Sequence, residues 1–213
     1  MGKIKQGILG GFSGKVANVV GSSWKGIAVM KSLPLSVANP RTAAQVAQRT
    51  KFTNITVLAA SILSSVVKPL WDRFAQKMSG YNDFIRTNID LFEGTSPSDF
   101  SEFVISNGIM AITPITEAFA TIGEDDVSIS WDDTDLDGYK LADDKVFLLA
   151  LTSNSSKAFF VNLPRIRSQG SATVDLPFDL IAGTVVHLYL AFARADGTIV
   201  SNTAYLEAPA VEG

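Results

Sequence analysis

Carboxylates are the densest chemical groups in the sequence. Asp133, Asp135 and Asp137 alternate along the chain, Gly138 follows, and Asp144 stands at the twelfth position counted from Asp133. Calcium-binding loops put carboxylates at positions 1, 3, 5 and 12 and a glycine at 6, where the chain must turn sharply. Two features argue against that chemistry. The last ligand is Asp, not the longer Glu that reaches an ion with both oxygens, and the flanks 127–131 and 145–152 read as strands where a calcium hand needs helices. The favoured reading is a solvated acidic loop that holds no metal. Paired carboxylates for glycoside hydrolysis could be drawn from the same loop, but nothing distinguishes two of them.

Gly10-Gly-Phe-Ser-Gly14-Lys15 resembles a phosphate loop in composition, but the spacing to the Gly-Lys pair is one residue short. Val16 stands where a Ser or Thr would hold magnesium, and no strand precedes the glycines. His187 is the sole histidine and there is no cysteine. Zinc sites and most nucleophile–base pairs are thereby excluded. No catalytic residue, cofactor or metal ligand is assigned, and an enzyme is not expected.

The charged residues are distributed very unevenly along the chain. Nine lysines and arginines (Lys3, Lys5, Lys15, Lys25, Lys31, Arg41, Arg49, Lys51 and Lys68) precede the first acid, Asp72. Residues 1–100 carry 12 bases against 5 acids, a net of +7, and residues 101–213 carry 6 against 16, a net of −10. The overall −3 conceals this polarity. Opposite ends suit head-to-tail contact between copies, docking of the basic end on an acidic partner, or neutralisation within one fold. Lysines could also neutralise nucleic-acid phosphates. Only Phe12 and Trp24 precede Phe52, so single strands would find few stacking platforms, and nucleic acid stays a secondary alternative.

The elements that must position these charges fall into three segments. Residues 1–38 are glycine-rich, with β-prone runs at 15–20 and 26–30, and read as a hairpin arm whose loop is Gly21–Gly26. A two-stranded hairpin is barely stable alone, so it must pack on something. Residues 39–92 read as helical. Asn39 caps, Pro40 opens, and Phe52, Ile55, Leu58, Ala59, Ile62 and Val66 form one stripe on a helix over 40–67, interrupted by Pro69. A shorter helix carrying Leu70, Trp71 and Phe74 follows, then a third over 81–91 with Phe84, Ile85 and Asn88 inward; Trp71, Phe74, Tyr81 and Phe84 are expected as helix–helix core.

Turn-rich residues 93–98 lead to alternating patterns, with strands expected at 103–109, 127–131, 145–152, 158–163, 171–176, 184–193 and 198–206. Seven short strands predict an antiparallel immunoglobulin-like β-sandwich over 98–213, making the chain α+β. With 46% hydrophobic residues it can bury a substantial core. The apolar stretch 52–67 is too short and polar to span a bilayer, and the N-terminus lacks a continuous apolar signal region, so a soluble protein is expected.

Several strings resemble a family of uncharacterised proteins from Bacteroidetes and their tailed phages. They are Gly10-Gly-Phe-Ser-Gly-Lys-Val with Val-Val-Gly-Ser-Ser-Trp-Lys-Gly26, Asn39-Pro-Arg-Thr42 with Gln45, and Ser79-Gly-Tyr-Asn-Asp-Phe84 with Asn88. Trp131, Asp144-Lys145, Arg167-Ser168, Gly183–Leu190 and Val200-Ser-Asn202 extend the likeness over nearly the whole chain, although the acidic 124–144 loop departs from it. The resemblance implies a virion protein of crAss-like podoviruses and transfers no catalytic residue. The expected role is therefore a phage structural protein of the tail or head–tail connector. It would form a homo-oligomeric ring through its basic arm and helices, contact other virion proteins but no membrane, and be assembled in the host cytoplasm. A carbohydrate- or host-surface-binding module and a capsid decoration protein are the alternatives.

Overall fold

The chain divides into two compact units, Met1–Thr42 and Ala43–Gly213. The computed structural model describes residues 2–3, 13–36, 39, 41–92, 97–134, 136–152, 158–161 and 165–211. Pro40, the expected helix opener, lies outside them.

In the first unit β1 (Gly2–Lys3), β2 (Gly14–Val16), β3 (Val19–Trp24) and β4 (Ile27–Ser32) form an antiparallel sheet in the order β1-β4-β3-β2. The expected hairpin is present, but its loop is shorter than Gly21–Gly26. β3 continues through Trp24, which pairs with Ile27, and the chain reverses on Lys25-Gly26 alone. Both turn residues have positive φ, 49° and 79°, as a two-residue reversal matched to strand twist requires. Only glycine accepts that conformation without strain, so Gly26 sets the register.

The second unit opens with α1 (Ala43–Ser61). The single helix expected over 40–67 is broken: α1 ends at Ser61, a π-helical turn spans Leu63–Val67, and α2 (Lys68–Trp71) follows, with a bend of 69°. The cause is Pro69, which has no N–H and whose ring would meet the carbonyl four residues back. The ladder slips by one residue ahead of it, Val67 N donating to Ile62 O at 3.2 Å and Lys68 N to Leu63 O. Pro69 thus sits in the first turn of α2, and the break falls before it. α3 (Gly80–Asn88) is capped by Ser79 Oγ, which accepts from Asn82 N at 3.3 Å. No single helix among the described residues is long and apolar enough to cross a membrane; α1 and the Leu63–Trp71 segment pass that test only as a bent pair.

Among the described residues seven strands complete the unit: β5 (Ile115–Ala120), β6 (Asp126–Trp131), β7 (Lys145–Thr152), β8 (Ala158–Val161), β9 (Ser171–Asp175), β10 (Val185–Ala193) and β11 (Ala204–Pro209). They form two antiparallel sheets, β11-β10-β7-β8 and β5-β6-β9. The central strands β7 and β10 are apolar on both faces because both are covered. Leu148, Ala150, Leu188, Leu190 and Phe192 share one core with Val127, Ile129, Trp131 and Val174 of the three-stranded sheet. Leu149, Leu151, Tyr189 and Ala191 point the other way, into a core with Ile55, Leu58, Ile62, Val66, Trp71 and Phe84 of the helices. The result is a mixed α/β unit with a helical layer and two sheets.

Three strand assignments need correction. Residues 103–109 are irregular: Phe103 and Ile105 are buried, but their segment is tied by side chains, Thr203 Oγ1 accepting from Ile105 N and Ser106 N, and Asn202 Oδ1 from Gly108 N. β5 was not anticipated, its alternation being diluted by Thr116 and Glu117. The strand expected at 198–206 starts instead at Ala204, after the Asp196-Gly197 turn and an isolated Ala193–Val200 bridge.

Candidate interaction surface

The acidic loop is organised around one buried ion pair. Arg167 and Asp144 are both fully buried, with Asp144 Oδ2 3.2 Å from Nη2 and accepting from Nε at 3.2 Å and from Leu141 N at 2.9 Å. The guanidinium also donates to Thr113 Oγ1 at 2.6 Å and lies 3.8 Å above the Phe192 ring. Trp131 Nε1 donates to the Arg167 carbonyl at 2.8 Å. Burying a charge is costly unless most of its hydrogen-bonding capacity is met in this way; here Asp144 Oδ1 alone of the pair's oxygens is buried without a partner. Asp144 is therefore a structural anchor and not the last ligand of a loop.

Two other acids of 132–144, Asp132 and Asp137, serve their own turns. Asp137 Oδ1 accepts from Lys140 N and Tyr139 N, both at 2.7 Å, and those bonds hold its carboxyl below the ordinary range. Asp132 Oδ1 accepts from Thr134 N and Oγ1. Asp135 lies outside the described residues, and among those described no three His, Asp or Glu side chains are placed to hold a metal ion. Of the glycine string at 10–15, residues 10–12 also lie outside; Gly14 and Lys15 are strand residues of β2.

His187 lies on the helix-facing side of β10, buried, stacked on Phe100 at 3.8 Å with an angle of 4°. Its Nδ1 shares a proton with the Tyr205 hydroxyl at 2.9 Å, while Nε2 is buried without a partner. Burial pushes the imidazole below its usual value and Glu207 offsets part of that. An open cleft of about 470 Å³ lies here, lined by Asp99, Phe100, Ser101, His187, Tyr205 and Glu207. Tyr189, beside it, donates to Phe100 O at 2.7 Å, and its phenol is pushed far up by burial.

The basic segment has little core. Among the residues of 13–54 whose exposure is described, only Gly21 and Val29 are buried. Lys15, Val20 and Lys31 stand in one cross-strand row of the first unit's sheet, so they share a face. Ile27 and Met30 are exposed, and Leu35 is 98% exposed. In the second unit α1 is exposed from Ala43 to Thr50, with Phe52 still 52% exposed although it was expected in the apolar stripe.

A family model described as Family of unknown function (DUF6266) matches residues 11–207. The chain belongs to that family. No curated protein matches it.

In this DUF6266 protein several residues of the strings that carried the resemblance fall on structural joints. Gly80 is where the backbone meets Asp72: its N donates to Asp72 Oδ1 at 3.0 Å, and a Cβ would sit 2.5 Å from Asp72 N. Asn88 clamps Val104, donating to its carbonyl at 3.0 Å and accepting from its N at 2.8 Å. Trp131, Asp144 and Arg167 are the buried network, and Ser201 and Asn202 hold 106–110. Trp71 and Phe84 are core, meeting edge-on at 5.7 Å, as expected; Phe74 and Tyr81 are half-buried against them. What sequence reasoning missed is the cleft, because Phe100, His187 and Tyr205 are far apart in the chain and share no motif.

Proposed function

We propose that this DUF6266 protein is a virion structural protein of a tailed, crAss-like Bacteroidetes phage. It acts by assembly and not by catalysis, in the tail or head–tail connector. The observation that carries the reading is the basic, apolar-studded segment 13–54, in which only two of the residues whose exposure is described are buried. Exposed apolar side chains interspersed with positive charge mark a surface made to be covered. The covering groups on this reading are other copies and other virion proteins, in the head-to-tail contact that closes a ring. An immunoglobulin-like kinship of the two sheets is part of the proposal. The orders β5-β6-β9 and β11-β10-β7-β8 parallel the A-B-E and G-F-C-C′ arrangement of such domains.

Light scattering of the purified chain at low salt, beside a variant lacking residues 1–38, tests the reading. Oligomers of the intact chain that weaken without 1–38 support it; a monomer at high concentration in both overturns it. Copy number per particle separates a ring, about a dozen, from a decoration protein at hundreds.

The cleft beside His187 favours a second reading, a host-glycan-binding module. Stacked rings next to Asp99 and Glu207 offer the apolar floor and polar rim that small ligands use. Binding of the intact chain on a glycan array, lost in Tyr205→Ala, would support it.

A further inference from the structure

The first twelve residues of α1, Ala43–Asn54, contain no buried side chain, so about three helical turns stand clear of the core. A helix of that length is marginal in water on its own. It bears Arg49 and Lys51, and no acid occurs before Asp72. Its exposed apolar groups are Val46, Phe52 and, one turn on, Val57 at 65%. The second unit has a surface of opposite character where β6 begins and β9 ends. Asp126 pairs with Asp175 across the ladder, Leu176 N donates to Asp125 O at 2.6 Å, and Leu180 N to Glu124 O at 2.7 Å. Those bonds gather Glu124, Asp125, Asp126, Asp175 and Asp179 at one end of the three-stranded sheet. Exposed Phe178 and Ile181 (63%) adjoin them. No lysine or arginine occurs in 121–139 or 171–193.

We propose that the projecting turns of α1 dock on this acidic, apolar end of a second copy. The pairing rests on the assembly reading above and makes its partner surface specific. Both sides combine apolar side chains with charge, and the charges are opposite, so the contact joins two different surfaces and propagates head to tail. Like surfaces repel, which selects against the symmetric alternative. At 1 M salt, where screening acts within about 3 Å, the charge contribution is suppressed and association weakens.

A charge swap tests the pairing. The first variant carries Arg49→Glu and Lys51→Glu; the second carries Asp125→Lys and Asp179→Lys. Sedimentation velocity at low salt reads the association of each alone and of the equimolar mixture. Each variant alone should associate at least tenfold more weakly than the wild type. The mixture should recover association, because the unchanged basic helix of the second variant then meets the unchanged acidic end of the first. A wild type that associates while neither variant weakens, or a mixture that fails to recover, overturns this pairing and leaves the assembly reading standing. A wild type that is monomeric under all conditions overturns both.

Discussion

Two sheets of four antiparallel strands occur among the described residues, and their surroundings differ completely. β11-β10-β7-β8 is covered on both faces, by the helices on one and the three-stranded sheet on the other, and β10 is buried from Val186 to Ala193. In the sheet β1-β4-β3-β2, only Val29 and Gly21 are buried among the residues whose exposure is described. Strand count and antiparallel pairing are the same, although the ladders of the first unit's sheet are shorter. What differs is the apolar area withdrawn from water, worth roughly 25 cal/mol per Å². One sheet is held by its cores; the other is shaped by its turns and offers its faces outward.

The largest effects should come from breaking the covered sheet. Phe192→Ala removes a buried ring that meets Trp131 edge-on at 5.9 Å and lies under Arg167, and it should cost about 3–5 kcal/mol in denaturant unfolding. Val20→Ala in the outward sheet should cost less than about 1 kcal/mol. Equal costs would remove the contrast. Arg167→Met leaves Asp144 charged and alone in the core and should cost about 3–5 kcal/mol. Adding Asp144→Asn should recover much of that loss, and a double-mutant cycle reads the coupling. Full additivity would mean that the pair does not hold the acidic loop.

Smaller effects sharpen the comparison. Gly26→Ala forces a Cβ into φ +79° at a cost of about 1 kcal/mol. Amide exchange should accelerate across Val19–Ser32 while the melting temperature of the second unit stays put. The smallest effect is on pH dependence. Burial holds His187 below its ordinary 6.5, so the unfolded chain binds the proton more readily. Stability contributed by the neutral ring is present above pH 6.5 and declines as pH falls below it. Thermal melts between pH 7.5 and 5.5 should show a shallower decline in His187→Phe, which keeps the stack on Phe100. An unchanged slope would show that the imidazole titrates freely.

Much of the second unit was legible because burial imprints a period. β6, β7, β9 and β10 lie within a residue or so of where alternation placed them, and Trp71 and Phe84 are core as their helical spacing implied. The misplaced elements are those in which polar side chains replaced a ladder. Residues 103–109 look like a strand because Phe103 and Ile105 alternate, yet Thr203 and Asn202, a hundred residues on, supply their partners. Asp144 illustrates the same limit at the candidate site. Its spacing suggested a cation, but the charge that meets it is Arg167, brought up by the 3₁₀ turn at 167–169.

The sequence alone determined most of the strands and helices of the second unit, that a hairpin lies in the glycine-rich segment, and that positive charge leads and negative charge follows. Those properties are local, written in periodicity, backbone freedom and composition. The tertiary structure decided which charges are enclosed and which stay exposed. Asp144 is enclosed and neutralised by Arg167, whereas Asp125 and Asp179 stand in water. A carboxylate's role depends on the desolvation and the counter-charge it meets, and both are set by residues distant in the chain.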